Sequence, residues 1–267
     1  MYNLVNIDLI CYNSSYPIPA QERRMSSNKS KLATGDEQDG GEVDDPAVKR
    51  MQALISQWET EADQRAIFLS CYLMMTRNMK SALQQQEFND AAWVNELLHH
   101  FANYYFTALD AYEQDAQQAP PVWKVAHDAA RTAQVLPLQE LLLGVNAHIN
   151  YDLVLTLVDL LQPEWDNLSE EQRVSRYTDH CHVNDVIGGT IDAVQDQVLE
   201  PAMPVMDLID KLLGPLDEKL ISHLISGWRE QVWQNAVQLL QTREAEERLR
   251  FLRQVEEDAL QFGRLIT

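Results

Sequence analysis

Residues 136–162 read LPLQELLLGVNAHINYDLVLTLVDLLQ, an apolar stretch with few interruptions. A helix that is apolar on nearly every side must be wrapped by other helices, so this stretch predicts a buried central helix. Four polar side chains lie in its middle: Asn146, His148, Asn150 and Asp152. Each of them needs a partner, because a polar group that is buried without one costs kilocalories. The sequence therefore predicts an all-α protein with a polar site at its centre.

The polar residues of the central helix divide between two faces. His148 and Asp152 are four residues apart and share one face, whereas Asn146 and Asn150 share another, about 160° away around the helix. A His-x-x-x-Asp spacing lets both side chains reach one metal ion or one substrate, as paired ligands do in helical bundles. The same spacing occurs where an aspartate only orients a histidine inside a packed core. The sequence leaves both interpretations open.

The composition narrows the classes of partner. The chain has 267 residues, of which 45% are apolar, and this suits one large helical domain. Its formal net charge of -20 repels nucleic acid and anionic membrane surfaces, so neither is expected as a partner. A cationic or neutral small molecule is easier to accommodate. Cys11, Cys71 and Cys181 have no paired spacing and no secretory signal is present, so a cytoplasmic location is expected.

Three segments are predicted along the chain. Residues 1–45 are rich in Ser, Asn, Gly and acidic residues, so we expect a disordered leader, within which Met25 is an alternative start. Residues 46–242 form the predicted helical domain. Residues 243–267 are predicted to be a charged, solvated helical extension. This C-terminal helix is the expected contact of any homo-oligomer.

Capping signals mark the starts of predicted helices. Asp45 stands at an N-cap position before Pro46, which suits the first position of a helix. Residues 169–172 have the form of a capping box, with a serine followed three residues later by a glutamine. The segment 59–64 either separates two helices or lies within one, and a short helix is predicted over 206–213. Since no hairpin signal is present, the expected fold is a single multi-helix bundle.

Polar residues on two other helices are further candidates for the site. His100, Asn103 and Tyr104 lie on one side of a predicted helix, because residues three or four apart are neighbours. Asn184 and Asp185 precede an apolar pair, so both are predicted to face inward.

Arg229 lies one residue from the apolar stripe of the last long helix. Its guanidinium could bind a buried carboxylate with two hydrogen bonds, and Asp152 is the first candidate partner. A surface ion pair with Glu230 or with a neighbouring helix, worth little energy, is the open alternative. His180 follows a charged segment and is expected at the surface.

Several familiar catalytic signatures are absent from the sequence. There is no Gly-x-Gly-x-x-Gly, no P-loop, no Gly-x-Ser-x-Gly and no His-Glu-x-x-His motif. The Glu-x-x-His spacing of di-iron bundles occurs once, at Glu96 and His99, whereas such a site needs two copies. Common nucleotide folds, serine hydrolases and zinc peptidases are therefore not expected.

Residues 143–153, which read LGVNAHINYDL, resemble the core signature of a bacterial family of all-helical proteins catalogued as a domain of unknown function. The resemblance extends to residues 100–106, 183–185 and 228–233 and covers about residues 47–242. It implies membership of that family, and the family label implies no activity.

His148 and Asp152 also resemble one element of the helical zinc phospholipases C and single-strand nucleases, which use a His-x-x-x-Asp on a buried helix. This weaker likeness implies that the two residues bind zinc. The other His-rich elements and the ligating N-terminus of that family have no counterpart in this sequence. A three-zinc site is therefore not expected.

The leading hypothesis is a small-molecule enzyme with a buried site. His148 is then a metal ligand or general base, Asp152 is a second ligand or orients His148, and Arg229 binds an anionic group. A divalent metal, Zn or Fe, would be held by His148, Asp152 and His100, with hydrolysis and oxygenation both open. The predicted substrate-binding residues are His100, Asn103, Tyr104, Asn146, Asn150, Asn184 and Asp185. The competing hypothesis is a helical binding or scaffold protein in which the same residues form a satisfied buried network.

Overall fold

The computed structural model describes residues 45–132, 135–202 and 218–266, and within them the chain is all-α, as predicted. The helices are α1 (Pro46–Thr60), α2 (Arg65–Gln84), α3 (Ala91–Gln114), α4 (Pro121–Thr132), α5 (Pro137–Ala147), α6 (Leu153–Leu161), α7 (Glu170–Gly188), α8 (Ile191–Val194), α9 (Glu200–Ala202), α10 (Glu218–Gln241) and α11 (Ala245–Ile266). Two π-helical segments, His148–Asp152 and Gln195–Leu199, follow α5 and α8. The predicted leader up to residue 44, its Met25 and the predicted helix at 206–213 lie outside the described residues.

Local capping chemistry explains where two of the helices begin. The Asp45 carboxylate accepts hydrogen bonds from the backbone N–H groups of Ala47 at 2.8 Å and Val48 at 3.2 Å. Before α7, the Ser169 hydroxyl accepts from the Gln172 N–H, and the Gln172 side chain accepts from the Ser169 N–H. Each cap satisfies N–H groups that have no partner within the helix. Both predicted helix starts are confirmed.

A tight turn separates α1 from α2. Ala62 has a φ angle of 55°, a left-handed conformation in which an α-helix cannot continue. The Asp63 carboxylate accepts a hydrogen bond at 3.0 Å from the N–H of Arg65, the first residue of α2. Of the two alternatives for residues 59–64, the structure therefore has two helices.

The central helix, Pro137–Leu161, consists of α5, the π-helical segment His148–Asp152 and α6. By length and composition alone it could cross a membrane, but 72% of its most apolar 18-residue window is buried inside the bundle. Helices α2, α3, α4, α10 and α11 pack around it. Such burial is typical of a core helix, and the predicted central position is confirmed.

The buried apolar side chains form two clusters that meet at the central helix. One includes Leu69, Tyr105 and Trp123, and the other includes Leu157 and Leu239. Phe101 and Val145 pack against both clusters. The buried polar residues of the central helix therefore lie near the junction of the two halves of the core.

Helices α2 and α5 approach closely at Gly144. A Cβ atom at this position would lie 2.5 Å from two atoms of the Phe68 ring, closer than real side chains come. The glycine is therefore needed here for helix packing, because any side chain would push the Phe68 ring out of the core.

The C-terminal helix α11 packs into the bundle. It lies against α4 and the central helix, and Val255, Ala259 and Gly263 are buried. Residues 243–267 were predicted to be solvated, and this is wrong for one face of the helix. Charged residues such as Arg253 and Asp258 are exposed, whereas every fourth position from Val255 to Gly263 is apolar or small and faces the core.

Candidate functional site

The site is built around an irregular turn of the central helix. At His148–Asp152 the backbone N–H of Leu153 donates to the carbonyl of His148, five residues earlier, where an α-helix would use four. The Thr156 hydroxyl donates to the Asp152 carbonyl at 2.8 Å, so this carbonyl keeps a partner inside the core. Single π-helical turns within α-helices are frequent at functional sites.

His148 and Asp152 bind each other, and Trp123 of α4 binds the same carboxyl group. His148 Nδ1 lies 2.9 Å from Asp152 Oδ2, and the Trp123 Nε1–H donates to this oxygen at 2.9 Å. All three residues are at most 3% exposed. Because Oδ2 already accepts from Trp123, we infer that Nδ1 of His148 carries the proton and that Nε2 is an acceptor. The two central-helix residues therefore share one face, as their spacing predicts.

Aromatic rings enclose the His148 imidazole. The Phe101 ring stacks on it, with 3.5 Å between the ring centroids and 6° between the planes. Tyr72 meets it edge-on at 4.4 Å, and Phe68 and Tyr105 lie at 5.9 Å and 6.1 Å. These contacts fix the orientation of the imidazole and keep bulk water away from its faces.

Burial controls the protonation of this pair. It lowers the pKa of His148 well below the usual 6.5, because an imidazolium ion would lose its hydration here. It raises the pKa of Asp152 well above its usual range, and the Trp123 hydrogen bond acts in the opposite direction. At neutral pH we therefore expect a neutral His148 with a lone pair on Nε2.

His148 lies in the wall of an apolar cavity of about 170 Å³. Its Nε2 atom is buried and has no hydrogen-bond partner in the part of the chain that the structure describes. Side chains of α2, α3, α7, α10 and the central helix line this cavity, among them Leu97, Leu141, Ile187 and Ile225. An apolar cavity of about 150 Å³ can hold benzene, so a small ligand fits this space.

Arg229 of α10 forms a second polar centre in the wall of the same cavity. Its Nε–H donates to Asn184 Oδ1 at 2.8 Å, and its Nη2–H donates to the His180 carbonyl at 2.7 Å. In the His180 ring, Nδ1 lies 3.3 Å from Arg229 Nη2, and Nε2 lies 3.0 Å from the Arg229 carbonyl oxygen. This network joins α7 to α10.

Burial also acts on the groups of the second centre. It lowers the pKa of Arg229 to about 10, so the guanidinium keeps its charge at neutral pH. Burial and the neighbouring Arg229 charge both lower the pKa of His180 well below its usual value, so this imidazole is neutral. Arg229 is therefore a cationic group in the cavity wall, which also contains the neutral imidazole of His148.

The predicted pairing of Arg229 with Asp152 is wrong. The Asp152 carboxyl is held by Trp123 and His148, while the guanidinium is held by α7. Among the residues that the structure describes, no carboxylate lies within salt-bridge distance of Arg229. The alternative of a surface ion pair is also wrong, because Arg229 is only 3% exposed.

The α7 residues are placed differently from the prediction. His180 is buried, at 1% exposure, although it was expected at the surface. Asp185 was predicted to face inward, but its side chain is 78% exposed and binds His182. Asn184 does face inward, where it binds Arg229. Of the predicted inward pair, only Asn184 is therefore part of the buried network.

Asn146 and Asn150 connect the central helix to α11. The Asn146 side-chain N–H donates to the Ala259 carbonyl at 2.9 Å, and the Asn150 side-chain N–H donates to Asn146 Oδ1 at 2.9 Å. They occupy a different face from His148, as predicted. Neither lines the cavity, so their predicted role in substrate binding gains no support from the geometry.

The α3 residues predicted for the site do not line the cavity. The His100 side chain is 45% exposed, and Asn103 is exposed as well. Tyr104 is partly buried, and its hydroxyl donates to a carboxylate of α6. Phe101 faces His148 instead, because adjacent helical residues point about 100° apart. The side chains of these three predicted residues are therefore not part of the cavity wall.

The three predicted metal ligands are not brought together. His100 is exposed, whereas His148 and Asp152 are buried and hydrogen-bonded to each other. Within residues 45–132, 135–202 and 218–266 there is no group of three or more His, Cys, Asp or Glu side chains that could hold a metal ion. The side chains present therefore do not fit the predicted Zn or Fe site, which needs at least three protein ligands.

Two buried residues with polar groups, Trp123 and Glu140, are absent from the predicted site. Trp123 is a fully buried indole, whose N–H requires an acceptor such as Asp152. Glu140 is 3% exposed, and burial raises the pKa of its carboxyl group well above the usual range. It lies in the same apolar stretch as His148, so the argument from buried polar groups applies equally to Glu140.

Comparison with known proteins gives a family without an assigned activity. No curated protein and no solved structure matches the chain. Residues 45–267 match the family model described as "Family of unknown function (DUF5995)", and the matched range includes every helix described above. The chain therefore belongs to this family of unknown function.

Proposed function

We propose that this protein is an enzyme for a small, largely apolar molecule, with His148 as its general base. The supporting observation is the Nε2 atom of His148, which is buried without a described partner in the wall of an apolar cavity. Leaving a buried acceptor unpaired costs free energy. A ligand that places a donor group next to Nε2 would supply the missing hydrogen bond.

Asp152 supports His148 in this role as a positioning residue. It accepts a hydrogen bond from Nδ1–H and so holds the ring in the tautomer whose lone pair is on Nε2. When Nε2 takes a proton from the bound molecule, the Asp152 carboxyl group at 2.9 Å keeps accepting the Nδ1–H and so stabilises the protonated ring. Trp123 holds the carboxyl group in place and does not touch the ligand in this proposal.

One observation favours a second candidate, a binding protein without catalysis. Burial lowers the pKa of His148 well below its usual value, and a weaker base takes up a proton less readily. In this candidate Nε2 only accepts a hydrogen bond from the ligand. The contacts among His148, Asp152 and Trp123 then serve to fix the fold.

Phenol and toluene form a matched pair of probes for the cavity, since they are similar in size and only phenol donates a hydrogen bond. The His148→Phe variant keeps an aromatic ring and removes Nε2. We expect it to lower the ratio of phenol affinity to toluene affinity about three- to tenfold, as one neutral hydrogen bond requires. Titration calorimetry of the full chain measures this ratio. An unchanged ratio would contradict the role of Nε2, and no binding of either probe would contradict the cavity.

Proton exchange separates the two candidate functions. The C–H groups beside the carbonyl of cyclohexanone exchange with D₂O when a base removes a proton. We expect the wild-type chain to accelerate this exchange and His148→Phe to abolish the acceleration, as followed by NMR. Binding of cyclohexanone without faster exchange would favour the non-catalytic candidate.

A further inference from the structure

We infer that the molecule held in this cavity carries a carboxylate, which binds Arg229. The inference rests on the proposed function, because it concerns the same cavity. Arg229 is 3% exposed and is the one permanently charged residue among the described side chains of the cavity wall. An apolar cavity with a single cation suits an amphipathic monoanion, whose apolar body contacts the aliphatic walls and whose negative group contacts the guanidinium.

The charge of Arg229 is not compensated by its described partners. Its Nε and Nη2 groups donate to the Asn184 side-chain oxygen and the His180 carbonyl, which are both neutral. Nη1 has no acceptor among the residues that the structure describes. Cys181 lies near enough to raise the pKa of the guanidinium, and no aspartate or glutamate of the described residues does so. A buried cation without a counter-ion is unfavourable, so an anionic ligand would be stabilised here.

The size and charge of the site select a class of anion. A cavity of about 170 Å³ is slightly larger than one that holds benzene, so the ligand has about six to nine non-hydrogen atoms. A phosphate monoester carries nearly two negative charges at neutral pH, and Arg229 would compensate only one of them. A short aliphatic or aromatic carboxylate meets both limits.

The negative net charge of the whole chain disfavours an anionic ligand. At -20 it repels anions at a distance, and for this reason the composition favours a cationic or neutral ligand. Salt at physiological strength screens exposed charges beyond about 8 Å, whereas a buried charge is screened much less. The affinity of a bound molecule is therefore governed by Arg229, and the surface charge acts mainly on the rate of entry.

Three probes with the same six-carbon chain test this inference: hexanoate, 1-hexanol and hexylammonium. We expect the full chain to bind hexanoate about tenfold or more tightly than 1-hexanol, as a charge-assisted hydrogen bond predicts, and hexylammonium most weakly. Titration calorimetry gives the three affinities. Binding of 1-hexanol without a preference for hexanoate, or a preference for hexylammonium, would overturn the inference and leave the proposed function intact. Binding of none of the three would overturn both.

A matched pair of variants assigns the preference to one residue. Arg229→Met removes the charge and keeps the length of the side chain, while Arg243→Met removes a charge from a side chain that is 72% exposed. We expect the hexanoate preference to fall at least tenfold in Arg229→Met and to stay unchanged in Arg243→Met. A folded Arg229→Met that keeps the preference would overturn the inference. If that variant does not fold, the comparison of the three probes on the wild-type chain still decides the question.

Discussion

His148 has different surroundings at its two ring nitrogens, and the proposed chemistry follows from this asymmetry. Nδ1 faces the Asp152 carboxyl group at 2.9 Å, whereas Nε2 has no described partner. In water both nitrogens would be hydrated, and the neutral ring would exchange between its two tautomers. The packed site fixes which nitrogen holds the proton and which presents a lone pair.

A double-mutant cycle measures how much the hydrogen bond between Trp123 and Asp152 contributes to stability. Trp123→Phe and Asp152→Leu each remove the hydrogen bond between the two residues, so the double variant cannot lose it twice. We expect its loss in free energy of unfolding to be about 1–2 kcal/mol smaller than the sum of the two single losses. Urea unfolding provides the values. The control pairs Asp152→Leu with Ser169→Ala, a change at a helix cap elsewhere, and this pair should be additive. Additivity in the Trp123 cycle as well would show that the hydrogen bond contributes nothing.

The sequence predicts some residues of the site better than others, for a physical reason. His148 and Asp152 lie in an apolar stretch, where a polar side chain is conspicuous and its spacing reveals its face. Helix α7 has polar residues on every side, so no apolar stripe shows that His180 faces inward and Asp185 outward. That orientation is set by α10, which brings Arg229 against α7 from a distant part of the chain.

At the level of helices, the close approach of α2 and α5 makes a specific prediction at Gly144. Gly144→Ala places a methyl group where the Phe68 ring now lies, at 2.5 Å. We expect the free energy of unfolding to fall by about 1–3 kcal/mol, because the ring must leave its packed position.

Gly227→Ala is the matched control for Gly144→Ala. Gly227 also lies within a helix, α10, and a Cβ atom there would meet nothing within 4 Å. We expect this change to raise the free energy of unfolding by up to about 1 kcal/mol, since alanine favours a helix over glycine. Equal effects of the two substitutions in urea unfolding would contradict the packing explanation.

Helix starts were predictable, whereas one helix break was not. The starts depend on hydrogen bonds between residues close in sequence, such as those from Ala47 and Val48 to Asp45, so the sequence contains the whole signal. The break between α1 and α2 uses Ala62 in a left-handed conformation that glycine or asparagine usually marks. Helices α1 and α2 pack against each other across that turn, and residues 59–64 contain no glycine or asparagine to mark it.

In the molecule as a whole, buried ionisable groups accompany a strongly acidic surface. Three histidines, His127, His148 and His180, are at most 3% exposed, and burial lowers the pKa of each. Glu140 and Asp152 are shifted in the opposite direction, because burial raises the pKa of a carboxyl group. Each such pKa shift makes the free energy of unfolding depend on pH. Stability rises with pH wherever the unfolded chain binds more protons than the folded chain.

His127 isolates one of these contributions. Burial lowers its pKa to about 3, so between that value and 6.5 the unfolded chain binds a proton that the folded chain excludes, and stability falls as pH falls. His127→Phe removes this proton and keeps the stacking on Trp123. We compare the free energies of unfolding of the variant and the wild type. We expect this difference to shift by about 2 kcal/mol in favour of the variant between pH 7.5 and pH 5. Urea unfolding at the two pH values measures the difference. Gly227→Ala, which removes no ionisable group, is the control and should have the same effect at both pH values. An equal effect of His127→Phe at both pH values would contradict the shift.

The proton on His148 can be located by ¹⁵N NMR of the histidine-labelled full chain, with His148→Phe used to assign the signals. We predict a protonated Nδ1 and an unprotonated Nε2 at neutral pH, and a change at Nε2 when phenol is added. A protonated Nε2, or a ring protonated on both nitrogens at neutral pH, would contradict the assignment of His148 as the acceptor in the cavity.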